Sequence, residues 1–176
     1  DEGDVARRAS RGNFALVWVQ SKGLGLARYG AWTTGSAALW PGFAAALRAE
    51  TGHDVSLAQP GGYSLCLSEE ELDRRRAAMM RMHNQPGWEP IPWEVQDHDR
   101  IARAMPGLGR DVVGGVFCPL DGHVNSLRLF RALHASALAR GATYLPDHPV
   151  RDIAPLPGGG FRLTTAQGEI EAGRIV

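Results

Sequence analysis

Apolar and polar positions divide the chain into short β-branched runs and longer stretches at helical spacing. Residues 17–20 are largely apolar and β-branched, and Ser21-Lys22-Gly23-Leu24-Gly25 then loosens the chain. Leu39, Trp40, Phe43 and Leu47 recur at helical spacing, with Ser36 as N-cap and Gly52 as the C-terminal glycine. Pro41 suits the first turn of such a helix and is awkward later. Residues 55–57 read as a strand, Gln59-Pro60-Gly61-Gly62 as a turn, and residues 63–67 as the returning strand. Ser68-Glu69-Glu70-Glu71 is a capping box, and its acidic first turn suits the helix dipole. The helix it opens runs to His83, with Leu72, Met79, Met80 and Met82 available for burial and Arg74, Arg75 and Arg76 on a solvated face. Asn84-Gln85-Pro86-Gly87 breaks it.

Trp88, Ile91, Trp93 and Val95 then offer a short strand, and Asp97 caps a brief helix through Ile101 and Met105. Residues 112–118 read as a strand whose glycines suggest a bulge or a close backbone approach. After an Asp121-Gly122 turn, Asn125 or Ser126 caps an amphipathic helix carrying Leu127, Phe130, Leu133, Ala137 and Leu138, stopped by Gly141. Residues 142–145 read as one more strand. The runs 150–153, 161–165 and 169–171, separated by glycine turns, make a β-meander. Helical and strand periods mix along the chain, so the fold class is α/β.

Composition changes this picture little. The chain has 176 residues, 44% hydrophobic and 22% charged, which fits one globular domain or two small ones. Nineteen basic and nineteen acidic side chains cancel, which argues against an electrostatic grip on nucleic acid or a membrane surface. No apolar run is long enough to span a bilayer and no signal peptide is visible, so a cytoplasmic location is the default. Cys66 and Cys118 are too few and too distant for a disulfide framework and read as buried, reduced thiols. His53, His83, His98, His134 and His148 lack metal-ligand spacing.

Candidate chemistry concentrates at the start. Asp1-Glu2-Gly3 is an acidic pair closed by glycine, and Ala9-Ser10-Arg11-Gly12-Asn13 then supplies small and polar residues before the apolar run. A carboxylate at a strand end can accept ribose hydroxyls, and small residues let backbone N–H groups approach phosphate, as in one half of a dinucleotide site. The same residues also fit a capped turn entering a buried segment. His123 fits either a catalytic base or a locally bonded turn histidine.

Asp1-x-Gly3, Ala9-Ser10-Arg11-Gly12-Asn13 and Val17-Trp18-Val19-Gln20 together resemble the glycine oxidase, sarcosine oxidase and D-amino-acid oxidase family of FAD-dependent amine oxidoreductases. The nearest likeness is to the branch holding hydrogen cyanide synthase and opine oxidase subunits. The resemblance implies FAD as cofactor. It implies a partial FAD Rossmann-type domain with a β-meander, formed by residues 1–50 and 121–176, and part of an α+β substrate domain over residues 51–120. Asp1 would hold the adenosine ribose. Ala9 and Ser10 would line the pyrophosphate and ribityl path. Asn13, Phe14, Ala15 and Leu16 would border the flavin ring, and Val150 would meet adenine through its backbone. Ala15 stands where the family commonly has glycine, so its methyl could crowd the ring.

The resemblance also implies an internal fragment, with a G-x-G-x-x-G loop before Asp1 and a strand continuing past Val176. The arginine and tyrosine that hold the substrate carboxylate in this family lie beyond that point, so no catalytic residue is named. The family's turn from substrate to flavin domain matches residues 121–125, which favours the turn reading of His123. The implied activity is oxidation of a C–N bond in glycine, an opine or a D-amino acid by hydride transfer to flavin, with hydrolysis of the imine. The implied partners are a small amine or amino-acid substrate, and either subunits of a heteromeric dehydrogenase or copies in a homo-oligomer; membrane association would come only through them. Two rivals stay open: a non-catalytic fragment or interaction subunit, and a flavin hydroxylase, which shares the acidic strand end and the meander.

Overall fold

The computed structural model describes residues 12–176. Asp1, Ala9 and Ser10 lie outside the described residues. The chain divides into two compact units, one of residues Phe14–Ala132 and one of Asp1–Asn13 with Leu133–Val176.

In the first unit, the short strand β1 (Leu16–Val17) leads into the long helix α1 (Ala27–Thr51). Then come β2 (Gly62–Cys66), α2 (Glu69–His83), β3 (Glu94–Asp97), α3 (His98–Ala104), β4 (Gly114–Cys118) and β5 (Gly122–His123). Strands β2, β4 and β3 form an antiparallel sheet in that order, and β1 pairs with β5. Helix α4 (Ser126–Ala139) runs from the first unit into the second. The second unit carries the antiparallel meander β6 (Val150–Pro155), β7 (Phe161–Thr165) and β8 (Gly168–Ala172). The mixed α/β class and the meander read from the sequence are both present.

Local signals set most boundaries. Ser68 Oγ accepts the Glu71 N–H at 3.2 Å, and the Glu71 carboxylate reaches back to the Leu67 N–H at 2.7 Å, so the capping box forms around α2. Asp97 Oδ1 accepts the Arg100 N–H at 2.8 Å, and Asn125 rather than Ser126 caps α4, taking the Arg128 N–H at 3.0 Å. Gly52 ends α1 at φ 74, the left-handed conformation that glycine adopts freely.

Other expectations are revised. Helix α1 begins at Ala27, before the expected cap Ser36. Ser36, Thr33 and Thr34 instead hand their hydroxyls to the carbonyls of Trp32, Tyr29 and Gly30 one turn back, which satisfies them inside a helix. Pro41 therefore lies in the helix interior and has no N–H for the Ala37 carbonyl; Gln59 Nε2 donates to that carbonyl at 3.3 Å instead. Residues 55–57 are not a strand. Asp54 Oδ1 takes the Ser56 N–H at 2.7 Å and Ser56 sits at φ 53, which breaks the extended line. Strand β2 consequently pairs with β4 rather than with a hairpin neighbour.

Pro90 and Pro92 remove donors, so β3 starts only at Glu94. Residues 142–145 form no ladder among the described residues; the Ala142 N–H turns back to the Ala137 carbonyl at 3.0 Å. On α4 the buried positions are Ala132 and Ser136, while Leu127, Phe130, Leu133 and Leu138 are exposed. Met79 and Met82 are buried but Met80 is half exposed.

Two clusters make the core of the first unit. Val17, Val19, Ala37, Met79, Met82, Ile91, Val116 and Cys118 form one, with Trp40, Leu57 and Trp88 packed on it. Leu47, Val55, Val124 and Ala132 form the other, and Ala15, Trp40 and Leu57 pack against it. Trp40 and Leu57 touch both, so α1 and the segment after it bind the two clusters into one body.

Candidate functional site

The residues expected to border a cofactor form a strip that is anchored from behind and open in front. Phe14 is 77% exposed and Leu16 47%. Between them Ala15 adopts φ 51, a left-handed conformation that costs an L-residue about 1–2 kcal/mol. Glycine would take this conformation without that penalty. The Ala15 side chain is a single methyl, and it packs against the Leu47, Val55, Val124 and Ala132 cluster.

The anchoring is a set of long-range hydrogen bonds. The Val124 N–H donates to the Ala15 carbonyl at 3.1 Å. Leu16 and Val17 pair with His123 and Gly122 across the β1–β5 ladder. On its other side, His123 exchanges both backbone hydrogen bonds with Ala58, at 2.8 and 2.9 Å. His123 is thus a strand residue with an exposed side chain rather than a turn residue. Gly122 is required by close approach: a Cβ there would lie 2.3 Å from the Ala58 carbonyl oxygen.

Beyond β1 the strand ladder gives way to a carboxylate. Asp121, fully buried, accepts the N–H of Val19, the N–H of Gln20 at 3.3 Å and Gln20 Nε2 at 2.7 Å. Gln20, also fully buried, donates further to the Gly62 carbonyl at 3.0 Å, while its Oε1 has no hydrogen-bond partner among the described residues. Burial raises the Asp121 pKa, against the donors of Val19 and Gln20 and the charge of Arg75. Arg75 is not simply on a solvated face: its guanidinium bonds Ser64 Oγ and lies 3.2 Å from Ser21 Oγ. In the sequence Asp121 has the look of a turn residue. An Asp-Gly pair carries no sign of burial, and its donors stand some hundred positions earlier in the chain.

Asn13 and Val150 belong to the second unit. Val150 opens β6, an edge strand whose pairing with β7 is interrupted between Val150 and Asp152. Its side chain is 48% exposed. The thiols of Cys66 and Cys118 are buried, as expected; burial pushes Cys118 up to about 11 and also raises Cys66. Among the described residues no helix is long and apolar enough to cross a membrane.

The chain is similar to proteins of known kind. An opine oxidase subunit of Agrobacterium tumefaciens (strain Ach5) is 46% identical over 176 residues, which is 100% of this chain and 47% of that protein. Its namesake from Rhizobium meliloti is 40% identical, covering 98% of this chain and 48% of that protein. The crystal structure of glycine oxidase from Geobacillus kaustophilus superposes with a TM-score of 0.84 at 25% identity, covering 98% of this chain and 45% of that one. The chain spans about half the length of the curated relatives it matches. The family described as FAD dependent oxidoreductase matches residues 1–176, and the chain belongs to that family.

Proposed function

We propose that the whole protein is a flavoenzyme that oxidises the C–N bond of an amine or amino acid of the glycine, opine or D-amino-acid type. The observation that supports this most is the likeness, over the whole chain, to the two opine oxidase subunits. Residues 1–50 and 121–176 belong to the FAD-binding domain in this reading, and residues 51–120 to the substrate domain. That both relatives are named as subunits also supports partner chains.

The residues present fit the cofactor. Exposed Phe14 and Leu16, held on a backbone pinned from behind, offer the apolar surface that one side of a ring system needs. The outer edge of β6 has no strand partner among the described residues, so it can hydrogen-bond the edge of a heteroaromatic base. When bound, FAD supplies the acceptor for a hydride leaving the substrate α-carbon, after which water hydrolyses the imine product.

This chain's own residues bind and orient. Phe14 and Leu16 exclude water from the ring. The Ala15 carbonyl is already engaged by Val124, so the strip meets the ring through its side chains. Asn13 borders the same ring. Asp1 accepts the ribose hydroxyls, Ala9 and Ser10 follow the pyrophosphate and ribityl chain, and Val150 meets adenine through its backbone.

A substrate screen of the full-length protein tests the reading, with glycine, opines and D-amino acids, each offered oxygen or an artificial dye as acceptor. At least one class should be oxidised, and the preferred acceptor separates oxidase from dehydrogenase. No turnover of any amine or amino acid with either acceptor, by protein that carries flavin, would refute it.

A further inference from the structure

Building on the flavoenzyme reading, we infer that Asp121 is a positioning residue for the cofactor: its buried carboxylate fixes the register of residues 15–20 against residues 121–125, and so fixes where Phe14 and Leu16 stand. The β1–β5 ladder has only two residue pairs. A ladder so short specifies register weakly, and a slip of one residue turns every side chain to the opposite face. Leu16 would then face the core and Val17 would face outward, and Phe14 before them would be displaced with the strip.

Asp121 blocks that slip. It takes two successive backbone N–H groups and the Gln20 amide at once, a set of donors that exists in one register only. Asp121 is itself tied to the next segment, since its carbonyl accepts the Gly61 N–H at 3.0 Å. The fit around it is close: a Cβ on Gly62 would lie 2.6 Å from the Trp18 ring and 2.8 Å from Asp121 Cβ.

Burying a carboxylate there carries a hydration cost that its donors must offset. A buried charge loses its hydration, and well-packed apolar residues of similar volume often serve equally well or better. The donor set that offsets the lost hydration comes almost entirely from residues 19 and 20, the continuation of the strip. Asp121 touches neither substrate nor ring in this account; it acts through the strip.

The experiment uses the full-length protein as wild type, Asp121→Asn and Gln20→Met. The readouts are the FAD dissociation constant, the flavin midpoint potential, the position of its visible bands and the thermal unfolding midpoint. Asp121→Asn should weaken FAD binding about tenfold, the equivalent of losing one charge-assisted hydrogen bond from the strip. It should also shift the potential and the bands, which a merely structural residue would leave in place. Gln20→Met should move the same quantities in the same direction by less. If wild type binds FAD and both variants keep its affinity, potential and bands, the inference fails while the flavoenzyme reading stands. A wild type that takes up no FAD would overturn both. Should Asp121→Asn not fold, Gln20→Met decides alone: unchanged affinity and potential overturn the inference.

Discussion

Pro41 in the middle of α1 makes a prediction with a magnitude attached. Its ring offers no N–H to the Ala37 carbonyl, and the Gln59 side chain stands in at 3.3 Å. Ala37 is 5% exposed, so water has little access to that carbonyl. Gln59→Leu keeps the volume and leaves the acceptor unpaired. An unpaired buried acceptor costs about 1–3 kcal/mol, and the long contact places this one near 1 kcal/mol. Pro41→Ala restores the helical N–H, so the carbonyl no longer needs Gln59. In that background the same Gln59→Leu change should cost close to nothing. Urea unfolding of the full-length wild type, both single variants and the double variant gives the coupling as a double-mutant cycle. The expected coupling is about 1 kcal/mol, with unchanged urea dependence. An equal cost of Gln59→Leu in both backgrounds would mean that the side chain does not replace the missing donor.

The other predictions concern groups of known environment. Cys118 and Cys66, both buried with raised pKa values, should resist a thiol reagent at pH 8 in the folded protein and react on unfolding; rapid native labelling of either, mapped by peptide mass, would contradict their placement. The Asp121 pKa is higher folded than unfolded, so its contribution to stability is greatest below the ordinary carboxylate range and declines as pH rises toward the raised value. The stability difference between wild type and Asp121→Asn should therefore fall with pH in that interval, by at most about 1.4 kcal/mol per pH unit; a rise there would reverse the assigned cause. At Val150 the expected contact runs through the backbone, so Val150→Ala should leave FAD affinity within about twofold while Val150→Trp weakens it; equal losses from both would point to a side-chain contact.

What the sequence made legible is what is local. Ser68, Asp97 and Asn125 cap the helices they precede because a cap needs only the next three residues. Gly52 and the meander turns follow from glycine's backbone freedom. The resemblance singled out Ala15 as standing in a glycine's place, and its φ of 51 is a physical reason for glycine there. Long-range pairing was not legible. Nothing near residue 62 says that β2 will choose β4, about fifty residues on, and nothing near Asp121 says that its carboxylate will end β1. Pro41 misled because its remedy, Gln59, lies in another segment. Helix α4 was legible as a helix and by its cap, but it is apolar on two sides, and spacing alone does not tell which side meets the core.

The most direct test of the central claim is the visible absorption spectrum of the full-length protein as purified. Flavin bands are expected, retained on gel filtration or restored by added FAD. A colourless protein that takes up no added FAD would contradict it.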